Sequence, residues 1–314
     1  MEAEFIKFGK NQVTTEELLA PGHRACQGCG LGINIRLALK VLGKDTMVLT
    51  PASCWSGVGS SYQESTWEVP WMQTLFENVS PVASGIVAAQ EKLMEKGKTA
   101  SRQMNVLCVA GDGGTADIGL GSLSGALERG HNFIYMCNDN EAYMNTGIQR
   151  SSSTPHGAST TTTPVGKVQS GQQTWKKDVP AIVADHNIPY MATACASYPF
   201  DFMTKIRKAA EAKGPAYIHV YSVCPTGWRV PPNFTVELGK LAVETRLFPM
   251  YEVEKGVYKL NVNPAKPKPI EDYIKPQGRF RHLKPEDIAE IQANVDRNWK
   301  ILMARIEASK AAAE

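Results

Sequence analysis

Five short runs of apolar and β-branched residues, TMVLTPAS, NVLCVAGD, FIYMCND, PYMATACA and AYIHVYSV, punctuate the first two-thirds of the chain. Between them stand longer segments whose apolar residues recur at helical spacing: IRLALKVL, VASGIVAAQEKLMEK, ADIGLGSLSGALER and FDFMTKIRKAAEA. Strands apolar on both faces, alternating with helices, predict an α/β fold in which helices cover both faces of a parallel sheet. This sheet domain is expected to occupy residues 1–230. From 231 to about 283 the chain is rich in proline (VPPNF, NPAKPKPIEDYIKPQGRF), which predicts an extended C-terminal arm lying on another surface. A closing helix follows, because Ile288, Ile291, Val295, Trp299, Leu302 and Ile306 fall at three- and four-residue spacing and form one buried stripe. Residues 231–314 are read as part of the same subunit, and there is no internal repeat.

The chain has 314 residues, 43% hydrophobic and 21% charged, which is enough for one large core or two modest ones. A formal charge of +3 with no stripe of Lys and Arg argues against nucleic acid as a partner. The N-terminus MEAEFIKFGK lacks the apolar stretch of a signal peptide, and no apolar run is long enough to cross a bilayer. A cytoplasmic protein with no membrane partner is the expectation.

Seven cysteines in a chain of this kind point to thiols and metal ligands rather than to a disulfide framework. Cys108, Cys137 and Cys195 sit within strand-like runs, where cysteine serves as a small buried hydrophobe. Cys26, Cys29, Cys54 and Cys224 lie beside Gly, Pro and Trp in turn-like settings. Cys26 and Cys29 form a local pair, and Cys54 and Cys224 are remote single residues. A structural zinc site usually shows two local pairs, whereas a [4Fe–4S] cluster accepts thiolates from distant loops. Spacing alone leaves cluster, zinc and a redox-active CxxC all open.

After the strand-like NVLCVA come Gly111, Asp112, Gly113 and Gly114, leading directly into a helical segment. Glycines at such a turn let backbone N–H groups approach a diphosphate, and a helix N-terminus favours its charge. By itself the pattern is also that of an ordinary turn with an aspartate. The next strand-like run ends in Asn138-Asp139-Asn140-Glu141-Ala142. Neighbouring parallel strands would bring both turns to the carboxyl edge of the sheet, where open α/β folds bind ligands. Asp112, the Asn140 amide oxygen and the Ala142 carbonyl could then supply three of the six oxygens that Mg²⁺ prefers. The pairing resembles the thiamine-diphosphate signature.

Taken together, GHRACQGCG, PASCW, GDGGTADIGLGSLSGALERGH, NDNEAYMNTGIQRSSSTPHGASTTTTPVGK and CPTGW resemble the β subunit of pyruvate:ferredoxin oxidoreductase and its relatives, the pyruvate and oxalate class of 2-oxoacid:ferredoxin oxidoreductases. The matching stretches run from Gly22 to Trp228. The resemblance implies a thiamine-diphosphate-binding fold, with Cys26, Cys29, Cys54 and Cys224 holding a [4Fe–4S] cluster. It puts the Mg²⁺ ligands on Asp112, Asn140 and the backbone of Ala142, and a substrate-facing catalytic asparagine on Asn145, with Thr146 and Gly147 adjoining. It further implies a split site. The glutamate that activates the aminopyrimidine would come from a pyrimidine-binding partner subunit, electrons would pass by way of a ferredoxin-like cluster subunit to external ferredoxin, and the C-terminal arm would embrace those partners.

Two positions depart from pyruvate-specific relatives: His156 stands where they carry an aromatic residue, and Ser159 where a bulky one is common. If this loop faces the substrate, a polar lining suits one with charge in place of a methyl group, so oxalate is the expected substrate and pyruvate the alternative. A surface-loop histidine is the plain reading of the same residue. A non-catalytic metal-binding scaffold is the rival of another class. It would keep the cysteines but have no use for both Asp112 and Asn140.

Overall fold

The computed structural model describes residues 8–61, 64–99 and 104–313. Its main sheet has eight strands: β1 (Thr46–Thr50), β2 (Trp71–Gln73), β3 (Asn105–Gly111), β4 (Ile134–Asp139), β5 (Tyr190–Cys195), β6 (Ala216–Tyr221), β7 (Tyr251–Glu254) and β8 (Val257–Leu260). They lie in the order β8-β7-β5-β6-β4-β3-β1-β2. The six strands from β5 to β2 in that order are parallel, and β7 and β8 extend the sheet antiparallel.

Alternation along each strand feeds two apolar layers. Val48, Leu107, Val109, Ile134, Met136 and Ile218 face the helices Gly30–Leu42 and Pro199–Glu211, packing on Ile35, Leu39, Phe202 and Ile206. Leu49, Val106, Cys108, Tyr135, Cys137 and Tyr217 face the helices Val79–Glu95 and Leu120–Glu128 and the end of the long helix Pro285–Ala311. Both faces are covered, as a parallel sheet requires. In the closing helix Ile291, Val295, Trp299, Leu302 and Ile306 are buried and Ile288 is partly so. Cys108, Cys137 and Cys195 are also buried.

The proline-rich stretch is not an extended arm. It folds into the helices Thr235–Glu244 and Ile270–Ile274 with the β7–β8 hairpin between them. Lys255 (φ +50°) and Gly256 (φ +81°) make the tight turn of that hairpin. Two successive positive φ angles match the right-handed strand twist. Met250, Tyr251, Val253, Ile270 and Tyr273 are buried against the sheet domain, so residues 231–283 complete its core. Their prolines fall outside the strands, where a missing N–H costs nothing.

The parallel register fixes where the chemistry sits. Gly111 is opposite Asn138, and Asp139 is opposite Tyr221. The turns that follow β1, β3, β4 and β6 therefore emerge at one carboxyl edge, and they carry Cys54, Asp112, Asn140 and Cys224. Among the described residues no helix is long and apolar enough to cross a membrane.

Candidate functional site

A cavity of about 320 Å³ opens at this edge, lined by Ser53, Cys54 and Ser56 after β1, by Phe76, by Gly111 to Gly114, and by Asn140 and Ala142 to Thr146. All eight residues expected to bind cofactor from sequence (Gly111, Asp112, Gly113, Gly114, Asn140, Ala142, Asn145 and Thr146) are in its wall. Among the described residues the cavity bears one carboxylate, Asp112, and no glutamate.

Behind β3 the chain passes into a single π-helical turn, Gly114–Ile118, closed by Gly119 N–H donating to the Gly114 carbonyl across 2.8 Å. Such turns are frequent at functional sites because they re-aim the residues before them. The glycines have separate reasons. A side chain at Gly111 would meet nothing within 4 Å, so that position opens onto the cavity. At Gly113 a Cβ would come within 2.4 Å of the Tyr143 ring, so the residue is held small by a neighbour. Tyr143 in turn donates to Asp117 Oδ2 across 2.8 Å.

Asp112 is 1% exposed. Burial, reinforced by the charge of Asp139, pushes its carboxyl well above the ordinary aspartate range, while Ser151, donating across 2.6 Å, and Lys176 pull it back. One terminal atom of the Asn140 amide lies 2.9 Å from Asp112 Oδ1 and 2.9 Å from the Ala142 carbonyl oxygen. With nitrogen there the amide bridges two acceptors. Turned half a revolution, it presents an oxygen, and three oxygens converge on one point beside a buried carboxylate whose charge Lys176 offsets only in part. This donor set fits a hard divalent cation such as Mg²⁺.

The flanking carboxylates point the other way. Asp139 meets Lys176 Nζ at 2.5 Å and His219 Nε2 at 2.9 Å. Burial opposes its ionisation, but Lys176 and His219 outweigh it and hold the group at about 2. Glu141 meets Lys176 at 2.9 Å and Arg279 at 2.5 Å. Sequence reasoning missed Ser151, Lys176 and Arg279, because nothing in the sequence pairs them with Asp112, Asp139 or Glu141.

The four turn cysteines gather on the same side. Cys29 closes the CxxC turn onto Cys26 by a backbone bond of 3.1 Å, and Gly30 N–H reaches the Val223 carbonyl, next to Cys224, at 3.1 Å. Gly28 (φ +68°) sits so close to the Pro232 backbone that any side chain there would overlap it. Burial, then the neighbouring thiols Cys224, Cys29 and Cys26, push the Cys54 thiol up to about 12. Burial likewise pushes Cys224 up to about 11, with Cys29 and Cys26 adding to it. The four thiols are thus mutual electrostatic neighbours. Yet among the described residues no three His, Cys, Asp or Glu side chains come close enough to hold a single metal ion. Four thiolates from separate turns can hold a four-iron cube, in which each binds a different iron.

His156 and Ser159 do not line the cofactor cavity. His156 stacks on Trp175 with ring centroids 4.3 Å apart, at a separate cavity of about 360 Å³. Ser159 is buried, and its N–H donates to the Arg279 carbonyl.

The site and fold together define a thiamine-diphosphate-type protein, and residues 54–220 match the family described as thiamine pyrophosphate enzyme, C-terminal TPP binding domain. The chain is 53% identical to pyruvate synthase subunit PorB of Methanocaldococcus jannaschii over 292 residues, covering 93% of this chain and 98% of that one. It is 54% identical to the PorB subunit of Methanothermobacter marburgensis over 285 residues (91% and 97%), and 49% identical to ketoisovalerate oxidoreductase subunit VorB of Pyrococcus abyssi over 289 residues (91% and 93%). A solved 2-oxoglutarate:ferredoxin oxidoreductase from Magnetococcus marinus shares the fold, with a TM-score of 0.56 at 22% identity over 74% of this chain and 83% of that one. The chain belongs to the β subunits of the thiamine-diphosphate-dependent 2-oxoacid:ferredoxin oxidoreductases.

Proposed function

We propose that the chain is the thiamine-diphosphate-, Mg²⁺- and [4Fe–4S]-binding subunit of a pyruvate synthase, oxidising pyruvate with coenzyme A to acetyl-CoA and CO2 and passing two electrons toward ferredoxin. The convergence of the Asp112, Asn140 and Ala142 oxygens on one cavity, with four thiols at the same sheet edge, carries the cofactor reading. Bound there, thiamine diphosphate supplies a nucleophilic ring carbon and a sink for the electrons released with CO2. Asp112, Asn140 and Ala142 would hold a divalent cation that offsets the diphosphate charge, Gly111 would leave room for the phosphates, and the thiols of Cys26, Cys29, Cys54 and Cys224 would hold the cluster.

Asn145 and Thr146 are exposed at the mouth, where Asn145 would face the substrate. With no glutamate among the described lining residues, the activating carboxylate would come from a pyrimidine-binding partner subunit. Leu75, beside the lining residue Phe76, and Ile118, at the end of the π turn, are exposed apolar side chains suited to that contact.

Oxalate loses its structural premise, since His156 and Ser159 are not among the residues lining this cavity, and relatives at 53–54% identity carry the name pyruvate synthase. The VorB likeness makes a branched 2-oxoacid the second reading. The assembled complex should be assayed with pyruvate, 2-oxoisovalerate and oxalate, each with and without coenzyme A. Fast viologen reduction that needs both pyruvate and coenzyme A is the expected result. Oxalate oxidised fastest, without coenzyme A, would overturn it.

A further inference from the structure

Asp139, Asn140, Glu141 and Ala142 alternate in direction: 140 and 142 face the cofactor cavity, and 139 and 141 face a buried box of cations. The reversal turns on Glu141, whose φ of +69° is the left-handed conformation that a side chain rarely adopts. Such a conformation persists only where its surroundings over-determine it. What holds it comes from far along the chain.

Arg279, 2% exposed, donates through Nη2 to Glu141 Oε2 (2.5 Å) and to the Tyr273 hydroxyl (3.0 Å), and through Nε to Gln277 Oε1 (2.9 Å). Its guanidinium lies 4.0 Å over the ring of Trp228. Trp228 donates its indole N–H to the Asn140 carbonyl across 2.9 Å, and its own backbone N–H to the Cys224 carbonyl at 2.9 Å. Gly278 is pressed so near Arg229 that a Cβ would come within 2.7 Å of it, which seats the Arg279 backbone against the same turn.

We propose that Arg279 is a positioning residue for the cation-binding turn: gripping Glu141 and covering Trp228, it fixes the direction in which Asn140 and Ala142 present their oxygens. The proposal rests on the thiamine-diphosphate and Mg²⁺ reading. It assigns the C-terminal segment a duty within its own subunit's site. A planar fork is required, because one point charge cannot hold Glu141, Gln277 and Tyr273 while stacking on an indole.

The test uses the assembled complex, stripped with a chelator and titrated with Mg²⁺ at saturating thiamine diphosphate, and with thiamine diphosphate at fixed Mg²⁺, by calorimetry. Arg279→Met should raise the Mg²⁺ Kd at least tenfold, and Arg279→Lys should recover part of that loss. Removing one partner of a buried ion pair is costly, so the Met variant could fail to assemble. Trp228→Phe keeps a ring beneath the guanidinium but loses the N–H to Asn140. It should weaken Mg²⁺ several-fold with iron content unchanged, whereas the cavity left by the smaller ring lowers the melting temperature without by itself touching Mg²⁺ affinity, which a purely structural role would leave intact. Unaltered Mg²⁺ and cofactor Kd values in Trp228→Phe and in every Arg279 variant that assembles would overturn the proposal. Absence of Mg²⁺-dependent binding in the unaltered complex would instead overturn the parent reading, and this one with it.

Discussion

Ser151 donates its hydroxyl to Asp112 Oδ2 across 2.6 Å, with both side chains essentially excluded from solvent. The bond offsets only part of what burial and Asp139 do to that carboxyl, which stays well above the usual aspartate range. The folded protein therefore binds this proton more tightly than the unfolded chain. By linkage, the cofactor-free protein loses stability as pH rises from the ordinary carboxylate range through the folded-state value. Asp112→Asn should flatten that slope in thermal unfolding followed across pH. Ser151→Ala should carry the slope to higher pH. An identical pH profile in wild type and Asp112→Asn would show that Asp112 does not control it.

The thiols predict a contrast between two cysteines. Cys54 and Cys224, pushed up to about 12 and about 11, are protonated at neutral pH and must release protons on binding iron. Cys54→Ala should lose or convert the cluster, read as iron content and brown absorbance of anaerobically purified complex. Cys195, buried with its thiol 3.8 Å from the Gly239 carbonyl, is structural. Its Ala variant should keep full iron and lose roughly 1–2 kcal/mol of stability. Equal iron loss in both variants would remove the distinction.

Removing everything after Val230 should leave a chain that fails to fold. That cut deletes β7, β8 and the helix stripe whose Leu302 and Ile306 pack with Tyr135 and Tyr217. Far-ultraviolet circular dichroism and the soluble yield would report it. A cooperative, soluble 230-residue fragment would show that the segment is an appendage after all.

Asn145 is exposed at the cavity mouth. Replacing it with Ala should lower kcat on the order of 100-fold, the cost of one lost transition-state donor, with little change in thiamine diphosphate affinity. An unchanged kcat would take the substrate-facing role away from it.

Five of the eight strands, β1, β3, β4, β5 and β6, could be read from the chain as apolar runs, and adjacency of β3 and β4 then placed Asp112 beside Asn140; the three residues of β2 are too few to show a pattern. The β7–β8 hairpin was hidden. Lys255-Gly256 is a weaker turn signal than Asn-Gly, and the prolines on either side suggested an arm. The oxalate argument failed at one step, the assumption that the His156 loop faces the substrate, which no local pattern could test. The support of the cation turn was likewise beyond sequence: Arg279 and Glu141 are 138 positions apart, and only the fold makes them neighbours.

The most direct measurement is thiamine diphosphate retention by the assembled complex carrying Asp112→Ala, in Mg²⁺ buffer, beside the unaltered complex. Among the described residues Asp112 is the only carboxylate in the cavity wall, so losing it should weaken cofactor binding roughly 100-fold or more and abolish pyruvate-dependent dye reduction, with cluster iron still present. Normal retention and turnover in a folded Asp112→Ala complex would contradict the assignment of this cavity as the thiamine-diphosphate site.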